Sequence, residues 1–224
     1  SRIGRIWRHH RFADTADQTF IYAEAQGGEI GRVNRKTHET RSIKPLPGFG
    51  DPKLRYNWNT PIHMSPTQKG VVYLGAQYLF RTRDHGQNWE RISPDLTTND
   101  PLKQKQEQSG GVTVDNSAAE MHTTIYAISE SPKDPNVIWV GTDDGNVQLT
   151  RDGGKTWTNV VANIAGLSKN AWVSFVEAGH FDAGTAYATF DLHMYGDMKP
   201  YVYRTTDFGK TWTSLAPTDG SMKG

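Results

Sequence analysis

Apolar and polar residues alternate along many short stretches of this 224-residue chain. The clearest is Thr123 to Ser129, where Ile125 and Ala127 alternate against Tyr126 and Ile128. A period of two marks a strand with one buried face. Similar runs, rich in β-branched and aromatic residues and punctuated by Gly, Pro, Asn and Asp, recur to the end of the chain. They fall into four groups of four strands. The first group, the least regular, has Ile3–Arg8, Thr19–Ala25, Ile30–Asn34 and Thr40–Ile43, with a Gly27-Gly28 hairpin turn. The second has 61–65, 71–76, 78–83 and 89–92, and the third 123–129, 137–142, 146–150 and 157–160. The fourth has 172–177, 185–190, 201–205 and 212–215, with residues 191–199 inserted where the others have a short hairpin. The repeats are bounded at about 1–45, 55–93, 122–161 and 171–216. The Pro- and Gly-rich stretch Lys44–Lys53 and the polar stretch Pro94–Met121 connect them, and Ala216–Gly224 reads as an exit loop.

One short pattern returns between strands three and four. It is T-x-D-x-G-x-x-W, at Thr82, Asp84, Gly86 and Trp89, at Thr150, Asp152, Gly154 and Trp157, and at Thr205, Asp207, Gly209 and Trp212. Local self-similarity at this spacing signals a repeat architecture. Each residue type has a turn-forming reason. Asp accepts hydrogen bonds from backbone N–H groups just ahead of it. Gly supplies a positive φ without steric cost. The Thr hydroxyl closes the turn from the other side, and Trp starts the returning strand and covers the turn with apolar area. The three Asp residues therefore read as folding staples, not as catalytic acids. The first repeat has Arg35-Lys36-Thr37-His38-Glu39 at this place, without Asp, Gly or Trp.

The three copies resemble the Asp-box, or BNR, repeat of sialidases, xyloglucanase-type glycoside hydrolases, sortilin-type receptors and photosystem assembly factors. Longer segments, 55–62, 92–97, 138–145 and 181–187, resemble large secreted bacterial proteins labelled glycosyl-hydrolase-like or sortilin-like. The resemblance implies an all-β, β-propeller fold and an exported, periplasmic or cell-surface bacterial protein. Four four-stranded units at about 56 residues each are fewer than the six or more blades of the resembling propellers. The chain is therefore expected to be a partial propeller, completed by blades of the same polypeptide or of partner chains.

Composition narrows the partners. Twenty-five basic residues against 24 acidic ones leave a net charge of +1, which argues against nucleic acid and anionic membranes. No apolar run has the length of a membrane span, and the N-terminal residues form no signal peptide. With no cysteine, disulfides and thiol chemistry are excluded. No cofactor is called for, and no metal site, since His193 beside Asp197 is too sparse a donor set.

In the resembling propellers, ligands meet the face carrying the strand two–three turns and the interblade links. Here that face holds residues 44–59, 94–121, 161–171, the Asp143-Asp144-Gly145 turn and the 191–199 insert. Candidate ligand-binding residues are Arg55, Tyr56, Asn57, Trp58 and Asn59, with amides beside an indole as a sugar platform, and His193 and Tyr195. Glycoside hydrolysis needs two carboxyl groups flanking the scissile bond. Asp143, Asp144, Asp191 and Asp197 are the candidates, but the adjacent Asp143 and Asp144 diverge on a tight turn. The leading expectation is a non-catalytic module that binds protein or glycan. The alternatives are a xyloglucanase-type hydrolase and a subunit docked in a larger assembly. A sialidase reading lacks its arginine trio.

Overall fold

A computed structural model describes residues 10–104 and 122–216. The expected strand Ile3–Arg8, His9, and residues 105–121 and 217–224 of the connection and tail lie outside the described residues. Among the described residues, sixteen strands form four antiparallel sheets, each a meander in sequence order. Sheet one holds β1 (His10–Ala13), β2 (Phe20–Ala25), β3 (Glu29–Asn34) and β4 (Thr40–Ser42). Sheet two holds β5 (Ile62–Met64), β6 (Val72–Gly75), β7 (Leu79–Thr82) and β8 (Glu90–Arg91). Sheet three holds β9 (Ile125–Glu130), β10 (Ile138–Thr142), β11 (Val147–Thr150) and β12 (Thr158–Asn159). Sheet four holds β13 (Trp172–Ala178), β14 (Ala186–Leu192), β15 (Asp197–Thr205) and β16 (Thr213–Ser214).

Three apolar layers lie between successive sheets. Tyr22 and Ile30 of the first sheet meet Leu74 and Phe80 of the second. Tyr73, Leu79 and Ile92 meet Ile125 and Ile138 of the third. Trp139, Val147 and Val160 meet Val173, Ala188 and Phe190 of the fourth. Burying both faces of a sheet makes its strands near-continuous apolar runs. All four residues of β6 and all five of β10 are buried.

The insert of the fourth sheet departs from the expected loop. β14 runs on to Leu192, β15 begins at Asp197, and Leu192 pairs with Asp197. Alternate burial of Ala186, Ala188, Phe190 and Leu192 carries the strand through the insert, because each buries apolar area against the third sheet. Only His193–Tyr195 remains as a 3₁₀ turn, closed by Gly196 at φ 76°.

The three T-x-D-x-G-x-x-W turns share one geometry. The Thr hydroxyl donates to its Asp and accepts the Gly amide four residues on, at 3.0, 2.9 and 2.9 Å for Gly86, Gly154 and Gly209. The Asp carboxylate accepts the amide four residues ahead, at Asn88, Thr156 and Thr211, each at 2.9 Å. It thus spans the turn instead of capping the amides next to it. Hydrogen bonds from the Thr156 and Thr211 side chains hold Asp152 and Asp207 down at about 2. The returning strands begin one residue after each Trp. The indole instead reaches the preceding sheet: Nε1 of Trp89 donates to Ile43 O (2.6 Å) and that of Trp157 to Ile92 O (3.0 Å). The Trp89 and Trp157 turns therefore lock two sheets together as well as closing their own, while the Trp212 indole donates to Gly209 O of its own turn (3.1 Å). In the first sheet Asn34 takes over the capping, accepting the amides of Lys36 and Thr37.

Candidate functional site

The opposite end of the sheets gathers the two–three hairpins and the interblade links. Asp143 and Asp144 follow β10 and are buried there. Asp143 accepts the Thr124 amide (2.9 Å) and hydroxyl (2.6 Å) and Nδ2 of Asn57 (3.1 Å). Burial pushes the Asp143 carboxyl up to about 6, against the hydrogen bonds from Thr124, with the neighbouring Asp144 charge adding to the rise. Asp144 accepts the Thr98 amide (2.8 Å) and hydroxyl (2.6 Å) and the Thr142 hydroxyl (2.6 Å). The pair thus ties the hairpin to two interblade links, through Asn57 in one and Thr98 and Thr124 in the other. The Asp-Asp-Gly turn is buried because those links fold over it.

Arg55 works alongside. Its guanidinium donates to Asp95 (2.7 Å), Thr97 (3.2 Å) and the Thr123 carbonyl (3.1 Å). Tyr56 is buried against Gly28 and donates to Pro45 O (3.0 Å). Asn57 is buried and Trp58 half-buried, and Asn59 is exposed. Of the proposed amide–indole platform, then, Asn57 faces inward and holds Asp143.

A cavity of about 150 Å³ opens above the aspartates. Asp143 and Asp144 form its floor. Trp172 and Asp191 come from β13 and β14, Met194 and Tyr195 from the 3₁₀ turn. Lys103, His122 and Asn170 come from the links. Asp191 caps the turn: it accepts the His193 amide (2.8 Å), which holds its carboxyl below the usual range, and pairs with His193 Nδ1 (2.6 Å). Asp197 is turned to a second cavity with Ser168 and Lys169, on the far side of Tyr195. There the Tyr201 hydroxyl donates to it (2.5 Å) and keeps its carboxyl low. Of the sequence candidates, the first cavity unites Asp143, Asp144, Asp191 and Tyr195. Arg55, Tyr56, Asn57, Trp58, Asn59, His193 and Asp197 lie outside its walls. Among the described residues no group of three His, Asp or Glu side chains is placed to hold a metal.

No protein-family model matches the chain. A probable oligoxyloglucan-reducing end-specific xyloglucanase of Neosartorya fischeri is 26% identical over 210 residues, covering 89% of this chain and 22% of that protein. The GH74 xyloglucanase of Xanthomonas campestris superposes with a TM-score of 0.50 at 18% identity, over 94% of this chain and 31% of that one. The Dos1 propeller superposes with a TM-score of 0.54 at 12% identity, over 93% of this chain and 51% of that one. The fold is that of a β-propeller. The chain spans about a fifth of the curated relative it matches, and its sequence similarity to xyloglucanases is weak. Among the described residues no helix is long and apolar enough to cross a membrane.

Lys103, His122, Asn170, Trp172 and Met194 were missed from sequence. Only Trp172 carried a signal, as a large aromatic at the junction of link and strand.

Proposed function

We propose that this propeller segment is a non-catalytic binding module that takes a sugar ring in the Trp172–Tyr195 cavity. The observation that carries it is the wall itself, where an indole and a phenol share one lining with buried carboxylates, Lys103 and His122. Aromatic faces stack on the apolar side of a pyranose, and charged groups fix its hydroxyls. At about 150 Å³ the cavity suits a single residue at a chain end, not a length of polysaccharide. The likeness to xyloglucanases supports a glycan over a peptide, and the three turns fit the Asp-box kind. An exported location agrees with both.

One observation favours a second reading as a glycoside hydrolase. Asp143 and Asp191, from different blades, border one cavity with one carboxyl raised and the other lowered. Opposed carboxyl environments are how one site holds both an acid and a base. Calorimetric titration with xyloglucan oligosaccharides, with reducing ends assayed in parallel, separates the two. Binding lost in Trp172→Ala and weakened in Asp191→Asn, with no cleavage by the wild type, supports the module. Cleavage abolished by Asp191→Asn establishes the enzyme, and no binding to any oligosaccharide sinks both.

A further inference from the structure

Each sheet presents the same two apolar groups to the sheet that follows it. One is an aromatic residue on the second strand: Tyr22, Tyr73, Trp139 and Tyr187, each paired across to the same position of the third strand. The other is the residue just past the fourth strand: Ile43, Ile92, Val160 and Leu215. Its amide donates in every sheet to the third strand, at Ile30, Leu79, Val147 and Val202. Register and hydrogen bonding thus make the four sets equivalent.

In the first three sheets these groups receive the motif turn of the next sheet. A Cβ on Gly86 would lie 2.5 Å from Ile43 Cδ1, one on Gly154 2.5 Å from Ile92 O, and one on Gly209 2.8 Å from Val160 Cγ2. The Trp89 and Trp157 indoles bond the carbonyls of Ile43 and Ile92. Arg32, opposite Tyr22, also donates to the His85 carbonyl within the next turn (3.0 Å). Tyr22, Tyr73 and Trp139 are consequently 0% exposed, and Ile43, Ile92 and Val160 8% or less.

The fourth sheet repeats the set, and among the described residues nothing covers it. Tyr187 is 38% and Leu215 43% exposed. Arg204, opposite Tyr187 as Arg32 is opposite Tyr22, is exposed as well. Phe175 of β13 adds to the same open face. This is the same interface built three times and then left half-made.

We propose that this face seats a further blade of the same polypeptide, carrying its own turn with a left-handed Gly and an indole at the T-x-D-x-G-x-x-W spacing. The Gly lies flat on Leu215, the indole N–H meets the Leu215 carbonyl, and Arg204 meets a carbonyl of the turn. The first blade of a second copy does not fit. Its turn through Arg35, Lys36, Thr37 and His38 has neither Gly nor Trp to offer. Nor does the proposal depend on the sugar-binding reading, which concerns the other end of the sheets.

Carbene footprinting of the polypeptide recovered from its native source, beside the 224-residue chain, tests this. Labelling at Leu215 should fall about five- to tenfold in the source polypeptide, the ratio of its exposure to that of its buried counterparts. Labelling at Tyr187 should fall with it. Leu215→Asp should lower the melting temperature of the source polypeptide and leave that of the 224-residue chain unchanged. Equal labelling of the two preparations overturns the proposal. Protection in a source polypeptide no longer than 224 residues overturns it in favour of a second copy.

Discussion

Gly153 and Gly154 are adjacent, and both take left-handed backbone, with φ of 72° and 101°. The lock between sheets separates them sharply. A left-handed Ala costs about 1–2 kcal/mol, offset by about 0.4–1 kcal/mol from the stiffer unfolded chain. At position 153 little else is added, because a Cβ would meet only the Asn136 side-chain oxygen at 3.2 Å. The equivalent residues His85 and Phe208 already hold that conformation with φ of 59° and 60°. Gly153→Ala should therefore cost about 1 kcal/mol or less. At position 154 a Cβ would lie 2.5 Å from Ile92 O and 2.9 Å from Ile92 Cβ. Backbone cannot swing aside as a side-chain end can, so β8 must move. Overpacking of this kind costs about 1–3 kcal/mol, and loosening the Trp157–Ile92 hydrogen bond about 1 kcal/mol more. Gly154→Ala should cost about 3–5 kcal/mol in all. Urea unfolding read by tryptophan fluorescence and circular dichroism, with unchanged slope, measures both. In melting temperature each kcal/mol is worth about 2–4 °C at this size. Equal losses for the two variants would refute the idea that this glycine exists for the contact between sheets.

Two titrations give further tests. Asp143 is raised by burial to about 6, so the folded state holds its proton where the unfolded chain has lost it. That contribution is complete below the unfolded value near 4 and is lost as pH rises through about 6. Asp143→Asn should flatten stability between pH 4 and 6.5 in thermal melts, and an unchanged slope would remove the assignment. Asp152 is the opposite case, held down at about 2 by Thr156, so its contribution is present above pH 4 and lost toward 2. Thr156→Val should destabilise at neutral pH, with the gap to wild type closing as pH falls from 4 to 2. A gap that stays constant would mean that the Thr156 hydroxyl does not act through the carboxylate.

The strands of the fold were legible because their signals are local. Alternation located β9 to within two residues, and the spacing of Thr, Asp, Gly and Trp located three turns whose Thr and Asp hydrogen bonds close within four residues. What the motif does between sheets was not legible. Nothing near Trp157 in sequence names Ile92 as its acceptor, 65 residues away. The site was legible by face but not by member. Sorting loops by strand connectivity put Asp143, Asp144, Asp191 and Tyr195 at one end, where they line a single cavity. Alternation cannot say which loops then cover which, so Asn57 and Tyr56 looked available and are buried. The insert failed for a third reason. Its Asp, His, Gly and Lys residues read as loop composition, yet Leu192 alone, buried against the third sheet, suffices to prolong the strand.

The aspartates also decide how the two functional readings differ physically. A general acid must offer an oxygen to the leaving group, and an inverting pair must leave room for a water between carboxyls about 6.5–9.5 Å apart. Both Asp143 oxygens are already engaged, one by the Thr124 amide and the other by the Thr124 hydroxyl and Asn57. To act on a sugar, Asp143 would have to give up a hydrogen bond while buried, at a cost of about 1–3 kcal/mol. Its raised titration comes from that same enclosure, and Asp144 is held just as closely by Thr98 and Thr142. These carboxylates behave as the keystone of the links that shape the cavity. Asp191 is the one left partly open, and in the binding reading its single ionised carboxylate beside the Trp172 indole orients a sugar hydroxyl without cleaving its bond.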